Sequence, residues 1–421
     1  MVIAVVAGLA GSFVASDRAG STDRIDDEVE VIRSSRSIQA DLARADAAAA
    51  SGFLAGGSRA EIQSEQRERY LAAMADVAAD LEAVARLTGD DELSHRQIEE
   101  MTRLVAEYSG LVETARTNNR QGFPIGAAYL NAASDLLTRD GEIGSLDQAP
   151  GLAENPAGVF RLTDEVANAA AQRYRDEYND QQSISWAFVG LAAGAMVVLS
   201  VVLVGTLGFM AARFRRVVNP AVGIATVISV GLSIWMLFGF ATHSSALRSA
   251  REDGYGGIRS YVDARALAFG AKSDEAKYLI ARGDGDRFEA RFVNRDLSGV
   301  VAEAAGGADS TLERDEGRQA SDMWAAYEDL HVKALRAEQS GRRADALQIV
   351  LSSSLEGSID EFEAFDLASA NALQANQDQF DSRMSAARDA LGGLTVAPAI
   401  GALLIALFAW YGIQQRIAEY R

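Results

Sequence analysis

The clearest pattern along the chain is a pair of long apolar runs near its centre. Residues 186–212 and 217–241 contain no charged side chain, and the short segment between them, 213–216, holds three arginines. As a helix with a rise of roughly 1.5 Å per residue, the first run is about 40 Å long, which exceeds the hydrocarbon thickness of about 30 Å. We therefore expect a transmembrane hairpin. Arginine is disfavoured within a span and basic turns face the cytoplasm, so segment 213–216 is predicted to be a cytoplasmic turn.

Two further apolar segments lie at the ends of the chain. Residues 391–413 are long enough to span, and Trp410 and Tyr411 near their end suit the membrane interface. Residues 1–15 are apolar but short, so they are either a spanning helix that lacks its front end or a signal peptide. We favour the truncated helix. Four spans then place the tail, 414–421, in the cytoplasm, and predict a multi-pass protein of the cell membrane.

The two long segments outside the spans, residues 16–185 and 242–390, have helical periodicity. Apolar residues recur at alternating intervals of three and four, the spacing of one buried helix face in a bundle. The stripes comprise Tyr70, Met74, Val77, Leu81 and Val84, then Ile98, Met101, Val105, Tyr108, Val112 and Ala115, and in the second segment Met323, Tyr327, Leu330, Ala334 and Ala337. We expect Tyr108 and Tyr327 to be core residues. The predicted fold class is an all-α membrane protein in which four transmembrane helices carry two extracytoplasmic helical bundles.

Prolines and polar breaks predict where some of these helices end. We expect separate helices at 1–15 and at about 23–53, because polar residues lie between them. No proline occurs from residue 157 to residue 213, so one helix is expected to continue from the first bundle into the second span.

The two bundle segments resemble each other. Ile32-Arg33-Ser34 matches Ile258-Arg259-Ser260 at an offset of 226, and Asp164 aligns with Asp366 at an offset of 202. Self-similarity at a fixed spacing is the sequence signature of a repeat. We therefore predict an internal duplication, with the plan span, bundle, span in each half.

Composition argues against several functions. The net charge of -19 disfavours nucleic acid as a partner, and the chain has no cysteine for a disulfide or a thiol nucleophile. The three histidines, His95, His243 and His331, are scattered, and we expect surface or interface positions rather than metal ligands. Phosphate-loop and nucleophile-elbow patterns are absent. A non-enzymatic protein with no cofactor is the expectation, and an enzyme or transporter subunit is the weaker alternative.

The architecture resembles a known family. The four predicted spans, the two alanine-rich exported bundles, the basic turn 213–216 and the closing segment 415–421, Gln-Arg-Ile-Ala-Glu-Tyr-Arg, are similar to the actinobacterial GlnX-like membrane proteins of a glutamine-sensing system. In that family the membrane protein works with a glutamate/glutamine-binding lipoprotein and with the soluble serine/threonine protein kinase G. The resemblance implies a sensor or relay that passes amino-acid availability outside the cell to a cytoplasmic kinase.

Arginines are the candidate contact residues. An arginine fork suits a carboxylate, so Arg33 and Arg259, which occupy matching places in the two halves, are candidates for a small amino-acid ligand or for a solute-binding lipoprotein. The alternative for both arginines is a purely structural role, on a solvated helix face or in an ion pair with a nearby acid. The candidates for the cytoplasmic partner are Arg213, Arg215, Arg216, Arg416 and Arg421. The competing function is a structural cell-envelope scaffold without ligand-driven signalling. The oligomeric state stays open, with a homodimer as one option.

Overall fold

A computed structural model describes residues 2–56, 59–89, 91–122, 124–141, 156–214, 219–306, 311–352 and 357–419. Every regular element in these ranges is helical. A π-helical segment, Ala250–Tyr255, lies between the sixth and seventh helices. The helices are α1 (Val2–Ala55), α2 (Ala60–Leu87), α3 (Glu92–Arg120), α4 (Gly126–Thr138), α5 (Val159–Phe214), α6 (Pro220–Ser249), α7 (Gly256–Ile280), α8 (Asp286–Asn294), α9 (Leu297–Gly306), α10 (Thr311–Gln339), α11 (Arg343–Leu351), α12 (Ser358–Leu391) and α13 (Ala397–Glu419).

The longest helices join apolar and polar parts of the sequence. Helix α5 continues without a break from Val159 to Phe214, which confirms the predicted continuous helix. Helix α1 likewise runs from Val2 to Ala55, so the separate helices expected at 1–15 and about 23–53 are a single helix. The polar residues between them do not end it, because polarity alone does not interrupt the backbone hydrogen bonds and no proline lies in α1.

One of two compact units, here called the apolar unit, contains Met1–Asp27, Arg173–Glu252 and Phe380–Arg421. Three helices in the described part of the chain are long and apolar enough to cross a membrane: α1, α6 and α13. Helix α5 contributes a shorter apolar stretch, Gly194–Phe209. The membrane character of the chain is therefore supported, and a fourth span at 186–212 stays a prediction.

Small residues allow the helices of the apolar unit to pack closely. A Cβ atom at Gly8 in α1 would collide with Ala402 and with the Pro398 carbonyl, and one at Gly239 in α6 would lie 2.9 Å from the Ala390 carbonyl oxygen. These glycines bring the backbones of neighbouring helices into contact, as small residues do in membrane bundles. The shared core draws on α1, α5, α6, α12 and α13.

The other compact unit, here called the polar unit, contains Glu28–Gln172 and Asp253–Gln379. It combines helices from both segments that the sequence assigned to separate bundles, 16–185 and 242–390. The reason lies in the packing, because one hydrophobic cluster contains Ala43 and Ala47 of α1 together with Ala264 and Ala268 of α7. The helices of the two segments thus bury their apolar faces against each other within one unit.

Helices α1 and α7 run parallel within the polar unit. Arg36 of α1 lies near Asp263 of α7, and ten residues further along each helix, Asp46 of α1 accepts a hydrogen bond from Ser273 of α7. Residue numbers therefore increase in the same direction along both helices, so the two helices are parallel. Alanine dominates their shared surface and allows this close approach.

The predicted apolar stripes are buried. In α3 all six stripe residues are buried, and Tyr108 is fully enclosed, as Tyr327 is in α10. The expectation that both tyrosines belong to the core is confirmed. The stripe of α2 is buried at four of its five positions, all except Met74.

Candidate functional site

The arginines singled out from the sequence in the polar unit make local ion pairs. Arg33 pairs with Glu30 on its own helix, and the Arg259 Nε lies 3.7 Å from the Asp263 carboxylate one turn further on. The Arg259 side chain is 58% exposed. Neither arginine lines a cleft described below, and their proposed ligand contacts stay a prediction.

The arginines predicted to meet a cytoplasmic partner cannot be placed with their side chains. Arg215, Arg216 and Arg421 lie outside the described residues. Arg213 and Arg416 belong to α5 and α13, and their side chains lie outside the description too.

A cleft of about 520 Å³ opens in the polar unit between α1, α4, α5, α7 and α8, and is here called the charged cleft. Four cations and four carboxylates line it. The volume lies within the range of about 300–1,000 Å³ that is usual for small-molecule sites. The charged residues are Arg36, Asp46, Asp164, Asp263, Asp274, Lys277, Arg291 and Arg295.

Arg36 is the central cation of the charged cleft. Its Nη1 donates to Asp164 of α5 and lies 3.8 Å from the carboxylate of Asp263 in α7. Its Nε is buried and has no hydrogen-bond partner among the described residues. Burial raises the pKa of Asp263, and Arg36 and Arg259 act against that rise. Arg36 therefore lies between two carboxylates of the cleft, and one of them, Asp263, is poorly solvated.

The floor of the charged cleft is a buried ion pair. Lys277 Nζ donates to Asp46 Oδ2 at 2.6 Å, and both side chains are almost fully enclosed. The hydroxyl groups of Ser134 and Ser273 each donate to the same carboxylate at 2.6 Å. Burial acts to raise the pKa of Asp46, but Lys277 and the two serine hydroxyls lower it overall, so the group is held as a carboxylate. This floor ties α1, α4 and α7 together.

The opposite wall of the charged cleft is held by a second buried carboxylate. Asp274 of α7 accepts hydrogen bonds from Arg291 of α8 and from Arg295, which follows that helix. The Asp274 side chain is almost fully buried, whereas the Arg291 side chain is 44% exposed. The guanidinium groups therefore reach from the interior to the mouth of the cleft.

A second cleft, of about 530 Å³, lies between α1, α2, α7 and α12 and is here called the apolar cleft. The rings of Phe269 and Phe362 form its wall, with their centroids 5.2 Å apart in an edge-to-face arrangement. Three cations, Arg44, Arg69 and Lys272, lie along it.

Behind the apolar cleft lies a buried charge network. Lys272 Nζ donates to Glu275 Oε2 at 2.7 Å, and His331 lies between Glu275 and Glu289 at 3.1 Å and 3.0 Å. Burial acts to lower the pKa of His331, but the two carboxylates outweigh it and raise this pKa to about 9. Burial acts to raise the pKa of Glu275, but Lys272 and His331 lower it to about 2. The ring is therefore an imidazolium at neutral pH.

The histidines are expected at surface or interface positions, but two of the three occupy the interior. His331 and His243 are buried, and only His95 is exposed. His243 Nδ1 lies 3.0 Å from the Ala387 carbonyl oxygen within the apolar unit. Single histidines on a helix carry no sign of their partners in the sequence, since Glu275 lies 56 positions from His331.

Sequence reasoning missed the residues that line the clefts. Arg36 and Asp46 look like ordinary polar positions of a solvated helix until α7 packs against α1. The sequence pattern that could have indicated these residues is the weak alternation of charged residues with alanine on one face of α1. The same pattern also occurs on solvent-exposed helix faces. Among the described residues, no group of three or more histidine, aspartate or glutamate side chains has the geometry of a metal site. The geometry suits binding of a charged organic molecule.

Comparison with known proteins points in the same direction. Residues 21–179 match the family model of the Actinobacterial sensor domain. No curated protein and no solved structure matches the chain. The match covers helices α2–α4, most of α1 and the first part of α5, including Arg36, Asp46 and Asp164 of the charged cleft. It supports an actinobacterial sensor protein, and the apolar helices suggest membrane insertion.

Proposed function

We propose that this chain is a non-enzymatic transmembrane relay that reports the availability of an amino acid outside the cell to a cytoplasmic serine/threonine kinase. A glutamine- or glutamate-type amino acid reaches it directly or on a solute-binding lipoprotein. The observation that carries the proposal is the charged cleft. Three of its charged residues, Arg36, Asp46 and Asp164, lie within the segment that matches the sensor family. In this proposal, four spans place both polar segments outside the membrane, and the 213–216 turn and the 414–421 tail meet the kinase.

The charge pattern of the cleft supports an amino-acid ligand. A zwitterion needs donors for its carboxylate and acceptors for its ammonium group within one small volume. Arg36 supplies a guanidinium group to the cleft, and Asp263, whose carboxylate lies 3.8 Å from Arg36 Nη1, supplies an acceptor. A ligand carboxylate at Arg36 would form charge-assisted hydrogen bonds, which are stronger than those between neutral groups. Equal numbers of cations and carboxylates favour a neutral zwitterion over a net ion.

Thermal unfolding of the full chain in lipid nanodiscs tests direct binding. We expect one amino acid of a panel that includes glutamine and glutamate to stabilise the chain by about 2.7 kcal/mol at 100 times its dissociation constant. Arg36→Gln should abolish the shift, whereas Arg103→Gln, which removes the ion pairs of Arg103 with Glu100 and Glu107 in α3, outside both clefts, should retain it. Loss of the shift in Arg33→Gln alone would instead assign the ligand to the arginine predicted from the sequence.

Capture of a partner tests the indirect route. If no amino acid stabilises the chain, a solute-binding lipoprotein retained by the full chain only in the presence of its amino acid would support the relay. Failure of both experiments would favour the structural scaffold. Truncation of residues 417–421 tests the cytoplasmic end separately. We expect kinase output in cells to lose its response to external amino acids, and an unchanged response would remove the tail from the mechanism.

A further inference from the structure

The apolar cleft is separate from the charged cleft. Helix α1 presents Arg44, Ala48 and Ser51 to the apolar cleft, whereas Arg36 and Asp46 line the charged cleft. The two clefts therefore use different faces of the same helix. A ligand in one does not occupy the other.

The chemistry of the apolar cleft differs from that of the charged cleft. Three cations and two carboxylates line it, and one carboxylate, Asp366, is already neutralised by Arg265, which donates from Nε at 2.9 Å and Nη2 at 2.7 Å. The remaining lining is mainly apolar and includes Phe269, Phe362 and Leu367. Leu367 is 64% exposed, which is a large apolar surface at the mouth of a cleft in a chain of net charge -19. The two arginines that line this cleft, Arg44 and Arg69, suit the carboxylate of a ligand, and the apolar walls suit an apolar body.

Two of the three cations of the apolar cleft, Arg44 and Arg69, can exchange their present partners for a ligand. Arg69 pairs with Glu65 and Glu363, whose side chains are 51% and 43% exposed. Exposed ion pairs of this kind contribute only about 0–1 kcal/mol, since water solvates the released carboxylates. Arg44 pairs with Asp41 at 2.9 Å and with Asp76 at 2.5 Å, and the Asp76 side chain is 58% exposed. A ligand carboxylate can therefore take the place of Asp76 at Arg44, as it can at Arg69.

The two clefts occupy corresponding positions of the two predicted repeats. Arg69 and Arg295 lie 226 positions apart, the spacing at which Ile32-Arg33-Ser34 matches Ile258-Arg259-Ser260. Phe160 of the charged cleft and Phe362 of the apolar cleft differ by 202, the second spacing found in the sequence. These spacings support a shared origin for the two clefts.

The lining has diverged between these corresponding positions. At the 226 spacing, Asp274 of the charged cleft corresponds to Ala48 of the apolar cleft, and Lys277 corresponds to Ser51. The apolar cleft therefore has neither an acid nor a lysine at these two positions, whereas both clefts have an arginine at the Arg69–Arg295 pair. The difference in lining predicts a difference in ligand.

From this geometry we infer that the apolar cleft is a second ligand site, which takes a small organic monoanion with an aromatic or branched apolar body. The carboxylate of the ligand bonds to Arg44 and Arg69, and its apolar body packs on Phe269 and Phe362. This inference goes beyond the proposed function, because the site and the ligand class are distinct from those of the charged cleft.

Fluorine NMR of the full chain in lipid nanodiscs tests the inference with a defined probe. We expect the 19F signal of 4-fluorophenylacetate to broaden in the presence of the chain more than with empty nanodiscs. Its neutral analogue 4-fluorophenylacetamide should bind at least about tenfold more weakly, since it lacks the carboxylate that pairs with Arg44 and Arg69.

Variants place the probe in the cleft. Ala370→Trp fills the cleft from α12 and should abolish the broadening, and Arg69→Gln should weaken binding by at least about tenfold, with partial rescue by Arg69→Lys. Arg103→Gln should bind as the unchanged chain does. Thermal unfolding confirms that each variant is folded. Equal binding of the neutral amide, or retained binding in folded Ala370→Trp, would overturn the inference, and neither result bears on the amino-acid response of Arg36→Gln.

Discussion

The buried imidazolium of His331 makes the stability of the polar unit depend on pH. With Nδ1 facing Glu275 and Nε2 facing Glu289, only the doubly protonated ring donates to both carboxylates. Its pKa is about 9 in the fold, against 6.5 for the ordinary group. Because the pKa in the fold is the higher one, the stabilisation is fully present below pH 6.5 and is lost as the pH rises through about 9.

The size of this effect follows from the shift. At about 1.4 kcal/mol per pKa unit, a rise from 6.5 to about 9 corresponds to roughly 3 kcal/mol at low pH. For a unit of this size, each kilocalorie moves the melting temperature by about 2–4 °C, so His331→Gln should lower it by roughly 6–12 °C at pH 6. The side chain is almost fully enclosed, so solvent screening reduces this value little.

The assay is thermal unfolding of the full chain in nanodiscs between pH 6 and pH 10, compared with His331→Gln. We expect the difference between the two to shrink as the pH rises through 9. His95→Gln, which changes an exposed histidine of α3, is the matched control and should follow the unchanged chain throughout. A difference that stays constant from pH 6 to pH 10 would refute the charged network.

Three further predictions follow from buried contacts. Asp46→Asn should lower the free energy of unfolding by about 3–5 kcal/mol, because Lys277 is left as an uncompensated buried charge. The double variant Asp46→Asn/Lys277→Met should recover part of this loss, and urea titration measures both values. Burial and a nearby carboxylate raise the pKa of Asp80 to about 7, so its ionisation destabilises the fold as the pH rises from 3.8 through 7. Asp80→Asn should therefore raise the melting temperature at pH 8 more than at pH 4. Gly8→Leu should disrupt the contact of α1 with Ala402 and lower the yield of folded protein, as measured by size-exclusion chromatography in detergent.

Some of this architecture was accessible from the sequence because helical periodicity records which face is buried. The stripe of α3 and the unbroken α5 follow directly from the spacing of apolar residues and the absence of proline. The enclosure of Tyr108 and Tyr327 follows from their places on these stripes.

The partner of each buried face was not accessible in the same way. The alanine face of α1 fits a helix in its own bundle as well as α7 of the other segment, since periodicity does not distinguish between two apolar surfaces. The charged cleft forms only when α1 packs against α7, because Asp46 and Lys277 are 231 positions apart in the sequence. Without that packing, both residues are expected at solvent-exposed positions. The internal duplication stays a prediction, supported by the register of α1 with α7.

Labelling of single cysteines in intact cells tests the central claim most directly, because the chain has no cysteine of its own. Ala79→Cys in α2 and Ala302→Cys in α9 are exposed positions of the two polar segments, and Gln414→Cys marks the tail. We predict that a membrane-impermeant maleimide labels the first two in intact cells and the third only after lysis. Labelling of Ala79→Cys and Ala302→Cys from opposite sides of the membrane would contradict a sensor built from both segments on its outer face.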